Sequence, residues 1–245
     1  MRANLRKRYL KLQCMAYKHL FFDLDHTLWD FETNSKETIR ELFATHRLQE
    51  TVTGDFDFFF EKYSFHNKRL WHRYNHGFIR QEELRWKRMW HALLEFKLGD
   101  ESLAKKLSAE YLEILPSKKA LFSYTHEILS YLTNKKYTLH LITNGFEQIQ
   151  SRKLENAQIS HYFSTVTTSE TACCLKPHKA IFDFAIEKAG CCYHEGIMLG
   201  DNLDADILGA MSAGMDTIFV NHIHEETTLK PTYVIYHLKE LEGIL

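Results

Sequence analysis

Two carboxylates close an apolar run near the start of the chain, in His19-Leu20-Phe21-Phe22-Asp23-Leu24-Asp25-His26-Thr27-Leu28-Trp29. The residues before Asp23 read as a strand buried on both faces, and Asp23 and Asp25 follow at i, i+2. Bare carboxylates are costly to bury without a cation. The pair is therefore expected at the mouth of a sheet, where the carboxyl ends of parallel strands receive ligands. Three later stretches carry further reactive groups. Leu139-His140-Leu141-Ile142-Thr143-Asn144-Gly145 delivers a hydroxyl and a glycine turn to a helix start, whose free N–H groups favour phosphate. Lys176-Pro177 fixes an ammonium near another helix start. Gly200-Asp201-Asn202-Leu203-Asp204-Ala205-Asp206 offers up to three carboxylates after a short buried strand.

Each stretch alone also has a plain structural reading, as a turn, a helix boundary or a solvated acidic cluster. In this order they share one chemistry. Asp23 and Asp25 beside Asp201 would repel one another unless a hard divalent cation neutralised them, and all-oxygen ligation suits Mg²⁺. A phosphate ester there would meet the cation on one side and Lys176 and Thr143 on others, the arrangement that spreads charge over a transferring phosphoryl group. Asp23 could attack phosphorus to form an aspartyl-phosphate. Asp25 would protonate the leaving alcohol and then deprotonate the hydrolytic water.

The elements that must position these groups follow from periodicity. Asn34 and Glu37 suggest a capping box for a helix through Ile39, Leu42 and Phe43. Helical spacing then continues in segments opened by Gly54-Asp55, from Gln81 to Phe96, and after Gly99-Asp100, until Pro116 stops it. No strand is expected before Tyr137, far more chain than a parallel crossover needs. Residues 31–117 are thus expected to be a helical cap inserted into a sheet domain; a separate helical domain is the other reading. From Lys118 helix and strand alternate: helices at 120–132, 146–156, 179–189 and 203–213, strands at 137–142, 163–169, 197–199, 217–220 and 233–235, and a short helix at 238–245. The fold class is α/β, a doubly wound parallel sheet with an inserted α-helical cap, its core formed by residues 15–30 and 118–245.

The bulk properties exclude several classes. A chain of 245 residues suits one large domain or one domain with an insertion. The formal net charge of -1 gives no electrostatic reason to expect nucleic-acid or membrane-surface binding. No window approaches the apolar length of a membrane span, and residues 1–14 are basic without a secretory apolar run, so a cytoplasmic location is expected. That basic leader is expected to be a disordered extension or a gene-start artefact, with Met15 as the alternative start. Cys14, Cys173-Cys174 and Cys191-Cys192 lack zinc spacing and are expected to be small buried thiols.

At Asp23-Leu24-Asp25-His26-Thr27-Leu28, Thr143-Asn144, Lys176-Pro177 and Gly200-Asp201 with Asp206, the chain resembles the haloacid dehalogenase superfamily over about residues 17–245. The resemblance implies Asp23 as nucleophile, Asp25 as acid/base, and Thr143 and Lys176, with Asn144, as phosphate binders. It further implies Mg²⁺ held by Asp23, Asp25 and Asp201, with Asp206 as acidic support. Asp204 is off the pattern and is expected at the surface. The dehalogenase branch lacks the second Asp of the first motif, so Asp25 favours phosphotransfer. Thr27-Leu28-Trp29-Asp30-Phe31, Leu70-Trp71 with Tyr74 and Gly77, Ile142 to Phe146, and Asp206 to Gly209 with Ala213-Gly214 are similar to the bacterial non-canonical pyrimidine 5′-nucleotidases. That resemblance implies a Mg²⁺-dependent phosphomonoesterase acting on nucleoside monophosphates such as UMP, dUMP and dTMP. Trp71 and Tyr74, with Phe78 and Trp86, either stack the base or form cap core. A phosphatase of sugar phosphate, sialic acid 9-phosphate or phosphoglycolate, and a non-catalytic phospho-ligand module, remain as alternatives. The sequence leaves the oligomeric state open.

Overall fold

The computed structural model describes residues 17–52 and 54–245. The basic leader, Cys14 and the alternative start at Met15 lie outside the described residues. The chain forms two compact units. One comprises the described residues through Trp29 with Leu121–Glu147 and Gln158–Leu245; the other comprises Asp30–Ala120 with Gln148–Ala157.

The first unit is built on six strands: β1 (His19–Phe22), β2 (Thr138–Thr143), β3 (Phe163–Thr168), β4 (Gly196–Gly200), β5 (Asp216–Val220) and β6 (Tyr233–Ile235). Their order is β3-β2-β1-β4-β5-β6, and every neighbouring pair is parallel. Strands of such a sheet are covered on both faces, which is why β1 carries the unbroken apolar run Leu20-Phe21-Phe22, all fully buried. Phe21, Ile142 and Met198 of adjacent strands pack with Ile181, Phe182 and Ala185 of α7 (Lys179–Ala189) and Ala210 of α8 (Gly209–Ala213). Burying each large side chain there contributes roughly 1.5–3 kcal/mol, enough to fix β1 and β4 side by side and so fix their exits.

Three expected helices differ in detail. The one expected at 120–132 is α5 (Thr125–Asn134). Leu121 instead bridges Trp29, Phe122 N–H donates to the Leu28 carbonyl, and Tyr124 has a left-handed backbone that no helix passes through. The helix expected at 203–213 opens as a wide π turn, Leu203–Leu208, with Ile207 N–H reaching back five residues to Asn202 before α8 begins. The tail is a tight 3₁₀ helix, Leu238–Gly243. The thiols are also less hidden than expected: Cys173 and Cys192 are exposed, Cys174 and Cys191 half-buried, and all four are free. Both pairs sit in connections between elements, where Cys174 and Cys191 pack against the core while their neighbours Cys173 and Cys192 face solvent.

The second unit is helical: α1 (Phe31–Thr45), α2 (Phe56–Asn75), α3 (Gln81–Glu95) and α4 (Glu101–Ile114). Aspartates open three of them, Asp30, Asp55 and Asp100 accepting from Thr33, Phe58 and Leu103 N–H at 3.0, 2.9 and 2.9 Å. Asn34 is therefore not the cap that its spacing from Glu37 suggests. It lies inside α1, buried, where its amide donates to the Ala120 carbonyl at 2.8 Å and accepts from Ala120 N–H at 3.0 Å. One side chain thus ties the two ends of the long insert together. Most of α6 (Glu147–Asn156) also groups with these helices rather than with the α/β residues flanking it in sequence. Arg152 pairs with Glu113 at 2.9 Å, and Asn156 donates to the Pro116 carbonyl at 3.0 Å. Among the described residues no helix is long and apolar enough to cross a membrane.

Candidate active site

Asp23 is the first residue beyond β1 and extends the ladder by one bond, its N–H donating to Leu199 of β4 at 2.8 Å. Asp201 follows β4, Thr143 ends β2, and Lys176 arrives from the connection after β3. β1 lies between β2 and β4, so these exits converge where a doubly wound sheet reverses direction. Lys176 is the junction. Its Nζ stands 2.6 Å from Asp23 Oδ1 and 2.6 Å from Asp206 Oδ1, and donates to the Ile142 carbonyl at 2.7 Å. Only 2 % of its surface is exposed, so this ammonium is held in place rather than waving from the surface.

Asn144 sets the height of that lysine. Its Oδ1 accepts from Lys176 N–H at 2.8 Å while its Nδ2 donates to the Lys176 carbonyl at 2.9 Å. This is a two-point clamp on one residue's backbone, so the side-chain amide expected to bind phosphate is engaged in orienting the neighbouring cation. Thr143 Oγ1 accepts from Gly145 N–H at 3.0 Å, forming the turn that starts the next segment. Ser169 secures the same turn, its N–H donating to Thr143 at 3.1 Å and its hydroxyl to the Asn144 carbonyl at 3.2 Å.

The carboxylates Asp23, Asp201 and Asp206 each place an oxygen within 4.8 Å of the others. Burial pushes the Asp23 carboxyl well above its ordinary range, the Lys176 ammonium pulls it back, and the charges of Asp206 and Asp201 push it up again. Burial and the Asp206 charge raise Asp201 to about 8, against the Thr27 hydroxyl, which donates to Asp201 Oδ1 at 3.1 Å. Burial alone would lower Lys176, but the Asp206 and Asp23 carboxylates outweigh it and hold the ammonium protonated well above the usual range. With all three carboxylates ionised, the one ammonium would leave two negative charges uncompensated, which, on top of burial, is why Asp23 and Asp201 hold their protons so tightly. A divalent cation removes that imbalance, and a donor set made only of oxygen fits a hard ion of the Mg²⁺ type.

Gly200 is what lets Asp206 come so close. A Cβ at that position would run into the Asp206 carboxylate. Asn202 N–H donates to Asp206 Oδ2 at 3.0 Å, while the Asn202 side chain accepts from Asp204 and Ala205 N–H at 3.1 and 2.9 Å. The acidic loop is thus a capped turn that presents one carboxylate inward. Asp204 belongs to that turn, half-buried and outside the carboxylate group.

Asp25 does not place its carboxylate in the group formed by Asp23, Asp201 and Asp206. Spacing of i, i+2 puts two side chains on one face only while the strand continues, and β1 ends at Phe22. Leu28 and Trp29 N–H both return to the Leu24 carbonyl at 3.0 and 2.9 Å, and His26 is left-handed, so Asp25 stands on a turn, half-buried. Trp71 and Tyr74 lie in the helical unit, on α2, half-buried and meeting edge to face at 5.7 Å. Thr27, Gly200 and Asn202 carry structural duties at the centre that the sequence reading did not assign. The threonine two residues after Asp25 was the one visible signal.

A parallel sheet of this order, with an acidic and lysine-paired centre at its strand exits, defines a Rossmann-like α/β domain with a candidate cation centre. Residues 20–220 match the haloacid dehalogenase-like hydrolases, and the chain belongs to that family. It is 32% identical over 230 residues to the pyrimidine 5′-nucleotidase PynA of Streptococcus pneumoniae, covering 93% of this chain and 94% of that one. It is also 32% identical to the pyrimidine 5′-nucleotidase YjjG of Escherichia coli over 245 residues, 94% of this chain and 99% of that one. Among solved structures, the magnesium-bound HAD-hydrolase YfnB of Bacillus subtilis superposes with a TM-score of 0.84 at 27% identity, covering 93% of this chain and 98% of that one.

Proposed function

We propose that the protein is a Mg²⁺-dependent phosphomonoesterase that hydrolyses pyrimidine nucleoside 5′-monophosphates. The observation that carries the reading is the Asp23–Lys176–Asp206 ion-pair chain beside Asp201, which holds a nucleophile-sized carboxylate next to a fixed ammonium at a cation-ready cluster. Near-full-length similarity to two pyrimidine 5′-nucleotidases supports the substrate class.

Asp23, Asp201 and Asp206 would hold the cation, which when bound neutralises their mutual repulsion and the charge of the phosphate. In the proposed reaction an oxygen of Asp23 attacks phosphorus, and the bond from phosphorus to the 5′ oxygen breaks as the aspartyl-phosphate forms. Asp25 gives its proton to the departing nucleoside alkoxide. It then takes a proton from water, whose oxygen attacks the aspartyl-phosphate to release inorganic phosphate and restore Asp23. Lys176 and Thr143 face the phosphoryl oxygens, and Asn144 keeps Lys176 in register. Residues 31–117, read as a cap, would supply base discrimination through Trp71 and Tyr74.

The deciding experiment compares kcat/KM for UMP, dUMP and dTMP with sugar phosphates, sialic acid 9-phosphate and phosphoglycolate at saturating Mg²⁺. The pyrimidine nucleotides are expected to lead by at least about tenfold, roughly 1.4 kcal/mol of transition-state discrimination. A sugar phosphate in first place would reject the nucleotidase reading. Ligand-induced stabilisation without Mg²⁺-dependent turnover would reject catalysis altogether.

A further inference from the structure

We propose that His222, in the connection after β5, is a positioning residue for the cation centre, acting through Thr27 on Asp201. It rests on the reading of Asp201 as a metal ligand. His222 Nε2 lies 3.1 Å from the Thr27 carbonyl, and since a carbonyl only accepts, the ring carries its proton on Nε2. Thr27 is fully buried, and its hydroxyl donates to Asp201 Oδ1 at 3.1 Å. The carbonyl and the hydroxyl belong to one residue, so a hydrogen bond on the first fixes the height of the second. Among the described residues, His222 is the hydrogen-bond donor to that carbonyl.

The ring is held for this task from two sides. Phe122 stacks on it with centroids 3.9 Å apart and planes 15° from parallel. Phe122 N–H in turn donates to the Leu28 carbonyl at 2.9 Å, so the same segment that orients the imidazole also pins the residue after Thr27. From the other direction Asn221 is buried and anchored, its N–H donating to Ile235 of β6 at 2.7 Å and its side chain bonding both ways to Glu225 at 2.7 and 2.9 Å. A chain of contacts therefore runs from the sheet edge at β5 and β6 to one oxygen of Asp201. With Oδ1 accepting from the buried Thr27 hydroxyl, rotation of the Asp201 carboxylate is restrained beside Asp23 and Asp206. Groups that hold a metal ligand from behind in this way typically change metal affinity by about 10–100-fold when removed.

Binding of Mn²⁺ to the full chain, read by electron paramagnetic resonance without substrate, tests the inference. His222→Phe keeps a flat ring on Phe122 but removes the donor; its Mn²⁺ affinity is expected to fall about tenfold or more. The amount of Mg²⁺ needed for half-maximal turnover should rise in parallel, with kcat at saturating Mg²⁺ within about twofold of wild type. His222→Gln places an amide N–H near the original Nε2 and should restore affinity, whereas the shorter His222→Asn should not. This second pair decides the matter even if the phenylalanine variant folds poorly. In a Thr27→Val background, His222→Phe should add less than about twofold, because the relay is already cut. Wild-type Mn²⁺ affinity in both His222→Phe and His222→Asn would overturn the proposal, as would full additivity with Thr27→Val. Asp201→Asn distinguishes the underlying reading: if that variant retains wild-type Mn²⁺ binding, Asp201 is not a ligand and the fault lies there rather than with His222.

Discussion

Lys176 and Asp23 form an ion pair of 2.6 Å in which the lysine is 2 % and the aspartate 7 % exposed, and the same ammonium lies 2.6 Å from Asp206. A cation shared between two buried acids is hard to remove cleanly. Lys176→Met should cost about 3–5 kcal/mol of stability, since breaking one side of a buried pair strands the other. Turnover of a phosphomonoester should fall by at least about a hundredfold, the typical effect of losing one donor at a developing charge. Urea unfolding and steady-state kinetics measure the two effects separately.

Asn144→Ala removes two hydrogen bonds from the backbone of Lys176 while leaving the ammonium itself in place. The expected loss is about 1–3 kcal/mol of stability, from the buried backbone groups left unpaired. If Asn144 works by setting the height of Lys176, kcat should drop more than tenfold with KM for the substrate little changed. A rise in KM alone would instead mark direct phosphate binding by the amide.

The acid cluster predicts a pH-dependent response to Mg²⁺. Asp201 is raised from 3.8 to about 8 by burial and the charge of Asp206, so the folded chain binds that proton more tightly than the unfolded chain does. Its contribution to stability without metal is present at acid pH and is lost as pH rises from about 4 toward 8. Mg²⁺ needs the ionised carboxylates and competes with the proton. The upward shift in melting temperature produced by saturating Mg²⁺ should therefore grow between pH 6 and pH 8.5, and Asp201→Asn should flatten that growth.

His140 predicts the opposite sign. Its ring stacks on Phe21, bonds His19 at 3.0 Å and Thr165 at 2.8 Å, and burial lowers it from 6.5 to about 4. The folded chain resists protonating it, so stability is intact above pH 6.5 and is lost as pH falls from 6.5 through about 4. Because Asp201 works in the other direction, the effect is read as a difference: the urea midpoint of His140→Gln, which still offers polar contacts but does not titrate, should gain on that of the wild type as pH falls through this window.

Gly200→Ala tests how close Asp206 must come. The added methyl group displaces the Asp206 side chain from its contacts with Lys176 and Asn202. Overpacking of this kind costs typically about 1–3 kcal/mol. Calorimetric titration should show weaker Mg²⁺ binding than in the wild type.

Much of the fold was legible in the chain because buried parallel strands and amphipathic helices write their periods directly into the residue order. Leu20-Phe21-Phe22, Leu139 to Ile142 and Ile197-Met198-Leu199 are strands for that reason, and Gly54-Asp55 and Gly99-Asp100 mark helix starts by local turn and cap chemistry. Where long-range partners compete with local pattern, the pattern misleads. Asn34 looks like a helix cap but bonds Ala120, and Leu121 looks helical but pairs with Trp29.

By itself the sequence determined the reactive groups and their order along the chain: Asp23, Asp25, Thr143, Lys176, Asp201 and Asp206. Their types and order suit the chemistry of phosphate esters and hard cations. Only the tertiary structure decided how they group. It put Asp206 rather than Asp25 among the clustered carboxylates, engaged Asn144 with the backbone of Lys176, and linked His222 through Thr27 to Asp201. The physical reason is that a carboxylate's role depends on distances of a few ångströms across strands joined by long crossovers. Residue spacing fixes direction only within one strand or helix; the turn after Phe22 and the close approach allowed by Gly200 set the rest.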